Sequence, residues 1–267
     1  MDAQLAIIIL LTFVIHLIGT LAYAARIAGV RTRRIAVSFA IFNLLILVSR
    51  TSNSFQGPFL AKRIEENLGR TPAVDMTGDF RWLLLSATAA SIVGACLIPT
   101  FQRLFSSAVE HFQVHRSVPR LILHGFLQGG ILQVKDVVSL PAPGNVKNLR
   151  LSKDFSLQVI LFNVIVVALW TVGVFAALYA GYMHPQFRVT ASTLSSIING
   201  VATVLMFAFI DPHLSMLTDD VIEGKTSEAS FRRAIVWLVG TRVLGTLLAQ
   251  PLLLPAAALI VRVAQRL

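Results

Sequence analysis

The chain has 267 residues, 55% hydrophobic and only 13% charged, with a net charge of +10 and a mean hydropathy of +0.75. A soluble domain of this length wets its surface with about 25% charged residues, so a water-soluble globular fold is excluded. The basic excess does not mark a nucleic-acid partner either, because Lys and Arg cluster at the ends of apolar stretches, as they do beside membrane spans.

Crossing a hydrocarbon core of roughly 30 Å takes about 20 largely apolar residues. The first such stretch runs from Gln4 to Ala25. Only Met1 and Asp2 precede it, with no positive leader, so it reads as a retained span rather than a cleaved signal peptide. The second starts at Ile35 and continues to Leu60, and the third covers Trp82 to Pro99. The fourth covers Phe155 to Met183, the fifth Val189 to Ile210 and the sixth Ala234 to Val261. The expected fold is all-α: a polytopic transmembrane helical bundle of about six spans, with residues 1–267 forming a single integral membrane domain. Cys96, the only cysteine, falls inside the third span, so no intramolecular disulfide is available.

The longest loop, from about Thr100 to Asp154, carries an amphipathic stretch. Phe101, Leu104, Phe105, Ala108, Val109 and Phe112 repeat at helical spacing, opposite Gln102, Arg103, Ser106, Glu110 and Gln113. A helix lying in the membrane interface is expected there, with packing against the bundle end as the rival. Further on, Pro141-Ala142-Pro143-Gly144 reads as a turn.

Orientation follows from the loop charges. Arg26, Arg31, Arg33 and Arg34 follow the first span. Arg103, Arg116, Arg120, Lys135, Lys147, Arg150 and Lys153 follow the third, and Lys225, Arg232 and Arg233 follow the fifth. Half as many lie on the opposite side: Lys62, Arg63, Arg70, Arg81, Arg188, Arg262 and Arg266. The asymmetry predicts a multi-pass protein of the bacterial plasma membrane with both termini outside the cytoplasm. The bilayer, with its anionic headgroups, is partner enough for the basic loops.

Enzyme chemistry finds little support. Gly224-Lys225-Thr226 resembles the end of a phosphate-binding loop, but Asp219 stands where that loop needs glycine. His111 and His115 have metal-compatible spacing, yet Phe112 stands where a zinc protease carries its glutamate. Ser49-Arg50 matches a fragment of lipid-phosphate phosphatases without a nucleophilic histidine following it. Neither a metal nor a cofactor is expected, and a transporter is the better class than an enzyme.

Several polar residues in spans need explaining, because an arginine at mid-membrane costs about 2.5–3.5 kcal/mol. Arg50 is followed by Thr51, Ser52, Asn53, Ser54 and Gln56. A second span ending at Val48 makes Arg50 a snorkelling flank. A helix running on to Leu60 places it inside, suited to a diphosphate or sugar headgroup. Arg242 lies about eight residues into the sixth span, between Gly240 and Gly245. It is either a ligand contact or half of a structural ion pair, with Asp211 as the candidate partner. The fifth span is rich in Thr, Ser, Gly and Asn, for close packing or a groove lining. His16, Asn43 and Asn163 read as interhelical hydrogen bonds, while Pro251 and Pro255 should kink or break the last helix.

Taken together, His16-Leu17-Ile18, the stretch Tyr23 to Val37, Phe42-Asn43, Ser49-Arg50-Thr51-Ser52-Asn53 and Asp211-Pro212 through Gly224-Lys225 resemble the Amj-type lipid II flippases. These form the alternate flippase family of the bacterial cell envelope. The resemblance covers the whole chain and implies movement of undecaprenyl-diphosphate-linked precursor, lipid II, from the cytoplasmic to the outer leaflet. Peptidoglycan synthesis enzymes would be the neighbours that make and consume it. The resemblance supplies no functional residues, so they are nominated from the sequence: Arg50 and Arg242 for the diphosphate, Thr51, Ser52 and Asn53 for sugar or phosphate oxygens, and Arg26 and Arg31, beside Arg33 and Arg34, for headgroup capture. Two rivals stand: a transporter of another anionic lipid or solute, and a non-transporting scaffold for envelope enzymes.

Overall fold

A computed structural model describes residues 2–72, 74–115, 138–139, 141 and 156–267. The basic residues from Arg116 to Lys153 and the turn after Pro141 lie outside the described residues. Among the described residues every element is helical: α1 (Ala3–Thr32), α2 (Ile35–Leu68), α3 (Thr77–His115), α4 (Leu157–Met183), α5 (Arg188–Thr193), α6 (Ser195–Leu205), α7 (Asp211–Ile222) and α8 (Glu228–Ala264). A 3₁₀ turn at Pro185–Phe187 precedes α5, and a π-helical turn at Met206–Ile210 joins α6 to α7. Six stretches are long and apolar enough to cross a membrane: α1, α2, α3 as far as Phe112, α4, the broken run Pro185–Ile222, and α8.

The elements pair as their connections dictate. α1 and α2 are joined by Arg33 and Arg34 alone. Arg33 takes a left-handed conformation (φ 56°), and the Ser38 hydroxyl donates across the hairpin to the Ala25 carbonyl (2.7 Å). α1 packs against α3 and α2, α4 packs against α8, and α3 touches α8 to join the two pairs. Two large apolar cores result, beside a small one of Val166, Ala202 and Ile210. One gathers Leu5, Leu60, Phe80, Phe175, Leu253 and Ile260 near the chain termini. The other gathers Leu21, Ala28, Phe42, Phe105, Leu214 and Phe231 at the opposite end. The start of α1 and the end of α8 therefore share one face of the bundle.

That terminal face is tied by charge. Asp2 caps α1 by accepting from the Leu5 amide (2.8 Å). Arg63 of α2 pairs with both Asp2 (2.6 Å) and Asp79 of α3 (2.8 Å). The Leu5 amide and then Arg63 hold the Asp2 carboxyl below its ordinary range, so the cap stays charged.

The structure lengthens most of the expected spans and corrects two features. The amphipathic stretch after the third span is no separate interfacial helix. It forms the last turns of α3, which runs on through Pro99, with Phe105 and Val109 buried and Phe101, Ala108 and Phe112 packed on the core. The fifth span, expected as one helix, is broken at Leu194 and widened at Met206–Ile210. Pro212 cannot donate to the Ala208 carbonyl, which accounts for the widening. α8 runs unbroken through Pro251 and Pro255, since membrane helices tolerate prolines whose freed carbonyls find other partners.

Close contact between α4 and α8 depends on Gly245. A Cβ there would stand 2.8 Å from the Val164 carbonyl oxygen and 2.8 Å from Val167 Cβ. Gly200, by contrast, has nothing within 4 Å. Gly245→Ala should destabilise the bundle by about 1–3 kcal/mol, read as a lowered unfolding temperature in detergent. Gly200→Ala should be neutral or slightly stabilising. Equal behaviour of the two variants would refute the tight α4–α8 contact.

Candidate functional site

Between the two apolar cores lies a polar level, and there the helices leave a cleft of about 370 Å³. Its walls come from four helices: Ile15 and His16 of α1, Ser49, Arg50, Asn53 and Ser54 of α2, Val167, Trp170 and Thr171 of α4, and Arg242 of α8.

Arg242 is aimed rather than free. Its guanidinium lies over Gly19, where any Cβ would collide with it. Its Nε donates to the Thr20 hydroxyl (3.1 Å). Thr20 in turn donates to the His16 carbonyl (2.9 Å), which leaves its lone pairs facing the arginine. Behind Arg242, the Asn163 amide fixes α8 to α4 by donating to the Leu238 carbonyl (3.0 Å) and the Thr241 hydroxyl (2.7 Å). No carboxylate pairs with Arg242 among the described residues.

Arg50 stands near the middle of α2, because the helix continues to Leu68. It is exposed on the cleft and has no ion-pair partner among the described residues. On the terminal-face side, buried Gln56 donates to the Thr12 hydroxyl (2.5 Å) and closes the seam between α1 and α2.

Of the nominated residues, Arg50, Asn53 and Arg242 meet on this cleft, and four stand elsewhere. Thr51 and Ser52 donate to the Leu47 and Val48 carbonyls of their own helix and do not line the cavity. Arg26 pairs with Asp211 (3.4 Å) and lies over the Phe39 ring (5.1 Å to the centroid). Arg31 is exposed in the last turn of α1. Asp211 thus serves Arg26, not Arg242. Asn163 makes the interhelical bonds expected of it, Asn43 is exposed, and His16 lines the cleft with a buried Nδ1 that has no hydrogen-bond partner among the described residues. Ser49, Ser54, Trp170 and Thr171 were not nominated. Trp170 and Thr171 sit in an apolar run with no flanking signal, and only the packing of α4 on α8, beside α2, brings them in.

The family model described as "Alternate to MurJ", named Amj, matches residues 11–264. The chain belongs to the Amj family. Among curated proteins, the lipid II flippase Amj of Bacillus subtilis (strain 168) is 36% identical over 255 residues, covering 95% of this chain and 94% of the relative. No solved structure matches the chain significantly. The chemistry of this Amj-family cleft follows from its own residues, above all Arg50, Asn53 and Arg242.

The Arg26–Asp211 pair ties α1 to α7, and both side chains are largely withdrawn from the surface, at 19% and 32% exposure. Asp211→Ala would leave Arg26 uncompensated. It should cost about 1–3 kcal/mol, below the range for a fully buried pair. Replacing both residues, by Arg26→Met with Asp211→Leu, should restore most of the stability. Thermal unfolding in detergent checks this, and an Asp211→Ala variant as stable as the parent would show that the pair contributes nothing.

Proposed function

We propose that this protein flips lipid II, the undecaprenyl-diphosphate-linked peptidoglycan precursor, from the cytoplasmic to the outer leaflet of the bacterial plasma membrane. The observation that carries the reading is the mid-bundle cleft of an Amj-family chain, holding two arginines that no carboxylate neutralises among the described residues. Guanidinium matches phosphate oxygens with paired hydrogen bonds. A headgroup carrying phosphate supplies the counter-charge that the protein withholds.

The headgroup crosses inside the cleft while the polyprenyl tail stays in lipid. α2 is shaped for this division. Arg50 and Asn53 face the cavity, while Leu47, Val48 and Phe55 beside them are 61%, 52% and 55% exposed, an apolar surface for the chain to lie along. Ser49 and Asn53 offer hydrogen bonds to phosphate or sugar oxygens, while the Ser54 hydroxyl donates to the Arg50 carbonyl of its own helix (3.0 Å). The sequence carries no nucleotide-binding motif, and transport rather than bond-making is the role assigned. The drive is the membrane potential, an ion gradient or consumption of the product outside by peptidoglycan-synthesising enzymes. Loop charges place the termini outside and the α1–α2 hairpin inside. Arg31, Arg33 and Arg34 then meet the anionic headgroup at the cytoplasmic surface.

Bacteria depleted of their own lipid II flippase give the test. Expression of this chain should restore growth and expose lipid II to an added lipid II-cleaving toxin. Arg50→Ala and Arg242→Ala should each abolish the rescue while still reaching the membrane. Rescue by both variants would remove the arginines from the mechanism, and absence of cleavage with the parent protein would redirect the reading to another anionic lipid. Reporter fusions at the two termini should be active only outside the cytoplasm, and cytoplasmic activity would reverse the orientation.

A further inference from the structure

The cations of the cleft stand on two walls. Arg242 of α8 lies against α1, where its guanidinium is within electrostatic reach of His16. Arg50 stands on α2 with Asn53 one turn on. Among the described residues α2 leans on α1 and makes few contacts with α4, so the space between the walls is open for a ligand to bridge.

His16 is the odd member. Its Nδ1 is buried without a partner. A proton there would be an orphan buried donor, which is rarer and costlier than an orphan acceptor. The neutral ring therefore carries its proton on Nε2, the nitrogen left to face the cavity that His16 lines. A single N–H is thereby presented beside Arg242, and no acceptor among the described residues engages it.

Charge counting gives the ligand's form. A diphosphate joining a polyprenol to a sugar carries one negative charge on each phosphorus, and the cleft offers one unneutralised arginine on each wall. A monophosphate link carries a single charge and would leave one guanidinium uncompensated near the middle of the membrane, an expensive state.

Resting on the flippase reading above, we propose that His16 is a third substrate contact. Its Nε2–H donates to the phosphate held by Arg242, Arg50 with Asn53 holds the other phosphate, and the cleft thereby selects diphosphate-linked over monophosphate-linked polyprenols. Because the cavity lies at the small end of ligand sites, which run from about 300 to 1,000 Å³, it accommodates the diphosphate and the adjoining sugar.

The test uses the purified full-length protein in detergent, with a fluorescent sugar-capped short-chain polyprenyl diphosphate displaced by sugar-capped farnesyl diphosphate or sugar-capped farnesyl monophosphate, which carry two negative charges and one. The parent should prefer the diphosphate by about tenfold or more, the scale of one hydrogen bond to a charged group. His16→Ala should narrow that preference to about threefold or less. His16→Gln, whose amide N–H reaches where Nε2 stands, should keep it, whereas His16→Asn, which mimics Nδ1 instead, should not. Equal binding of the two probes by the parent, or an undiminished preference in His16→Ala, overturns the proposal. Either result beside intact lipid II rescue in cells would leave the flippase reading standing. Failure of rescue by the parent would instead count against that reading.

Discussion

The bundle is organised around a guanidinium held between its two large apolar cores with no carboxylate partner among the described residues. Placing Arg242 there costs about 2.5–3.5 kcal/mol by insertion scales, and a hydrogen bond from a threonine returns only part of it. The surroundings make the position tenable. Gly19 clears a shelf for the side chain, Thr20 supplies an acceptor, and Asn163 pins α8 so that Arg242 cannot rotate toward lipid. A chain selected for stability alone would place leucine at this position. The polar level that splits the apolar interior into two cores is the structural consequence.

From that constraint the helix pairing follows. α4 must approach α8 closely enough for Asn163 to reach Thr241 and Leu238, which Gly245 permits. α1 must present Gly19, Thr20 and His16 on successive levels of one region, which brings it against α8 and α3. What remains is α2, fastened to α1 by Ser38 near its start and by Gln56 past its middle, with no buried residue from Asn43 to Thr51. A wall fastened on either side of an open stretch suits a site whose ligand must enter sideways from a bilayer.

How much of this could be read from residues alone depends on whether the signal was local. Span number was legible because a run of some 20 apolar residues is a property of the chain itself. Arg50 and Arg242 were legible because each breaks such a run. The role of His16 was not, since one histidine in a span is ordinarily a packing detail, and only its place beside Arg242 gives it a ligand. Thr51 and Ser52 misled for a related reason. Next to Arg50 in sequence, they point elsewhere, because successive residues on a helix do not share a face, and their hydroxyls turn back to carbonyls one turn earlier. The end of α3 was misread because an amphipathic pattern looks the same whether its apolar side meets lipid or protein.

Two interior arginines, Arg26 on α1 and Arg242 packed against α1, are treated differently. Arg26 and Arg242 both lie against polar positions of the membrane interior, yet only Arg26 has a carboxylate, Asp211. Arg26 is ten residues past His16, which on a helix puts it about 15 Å nearer the α1–α2 hairpin. Asp211 begins α7, directly after the π-helical turn of the broken fifth span. Had that span been a regular helix, the register of Asp211 would differ and so would the arginine it reaches. The break thus keeps the one acidic side chain of the fifth span's interior on Arg26, away from the cleft. Neutralising Arg26 holds the bundle together at that level. Leaving Arg242 and Arg50 without a carboxylate among the described residues is what the proposed anion site requires, since its counter-charge then comes from the ligand.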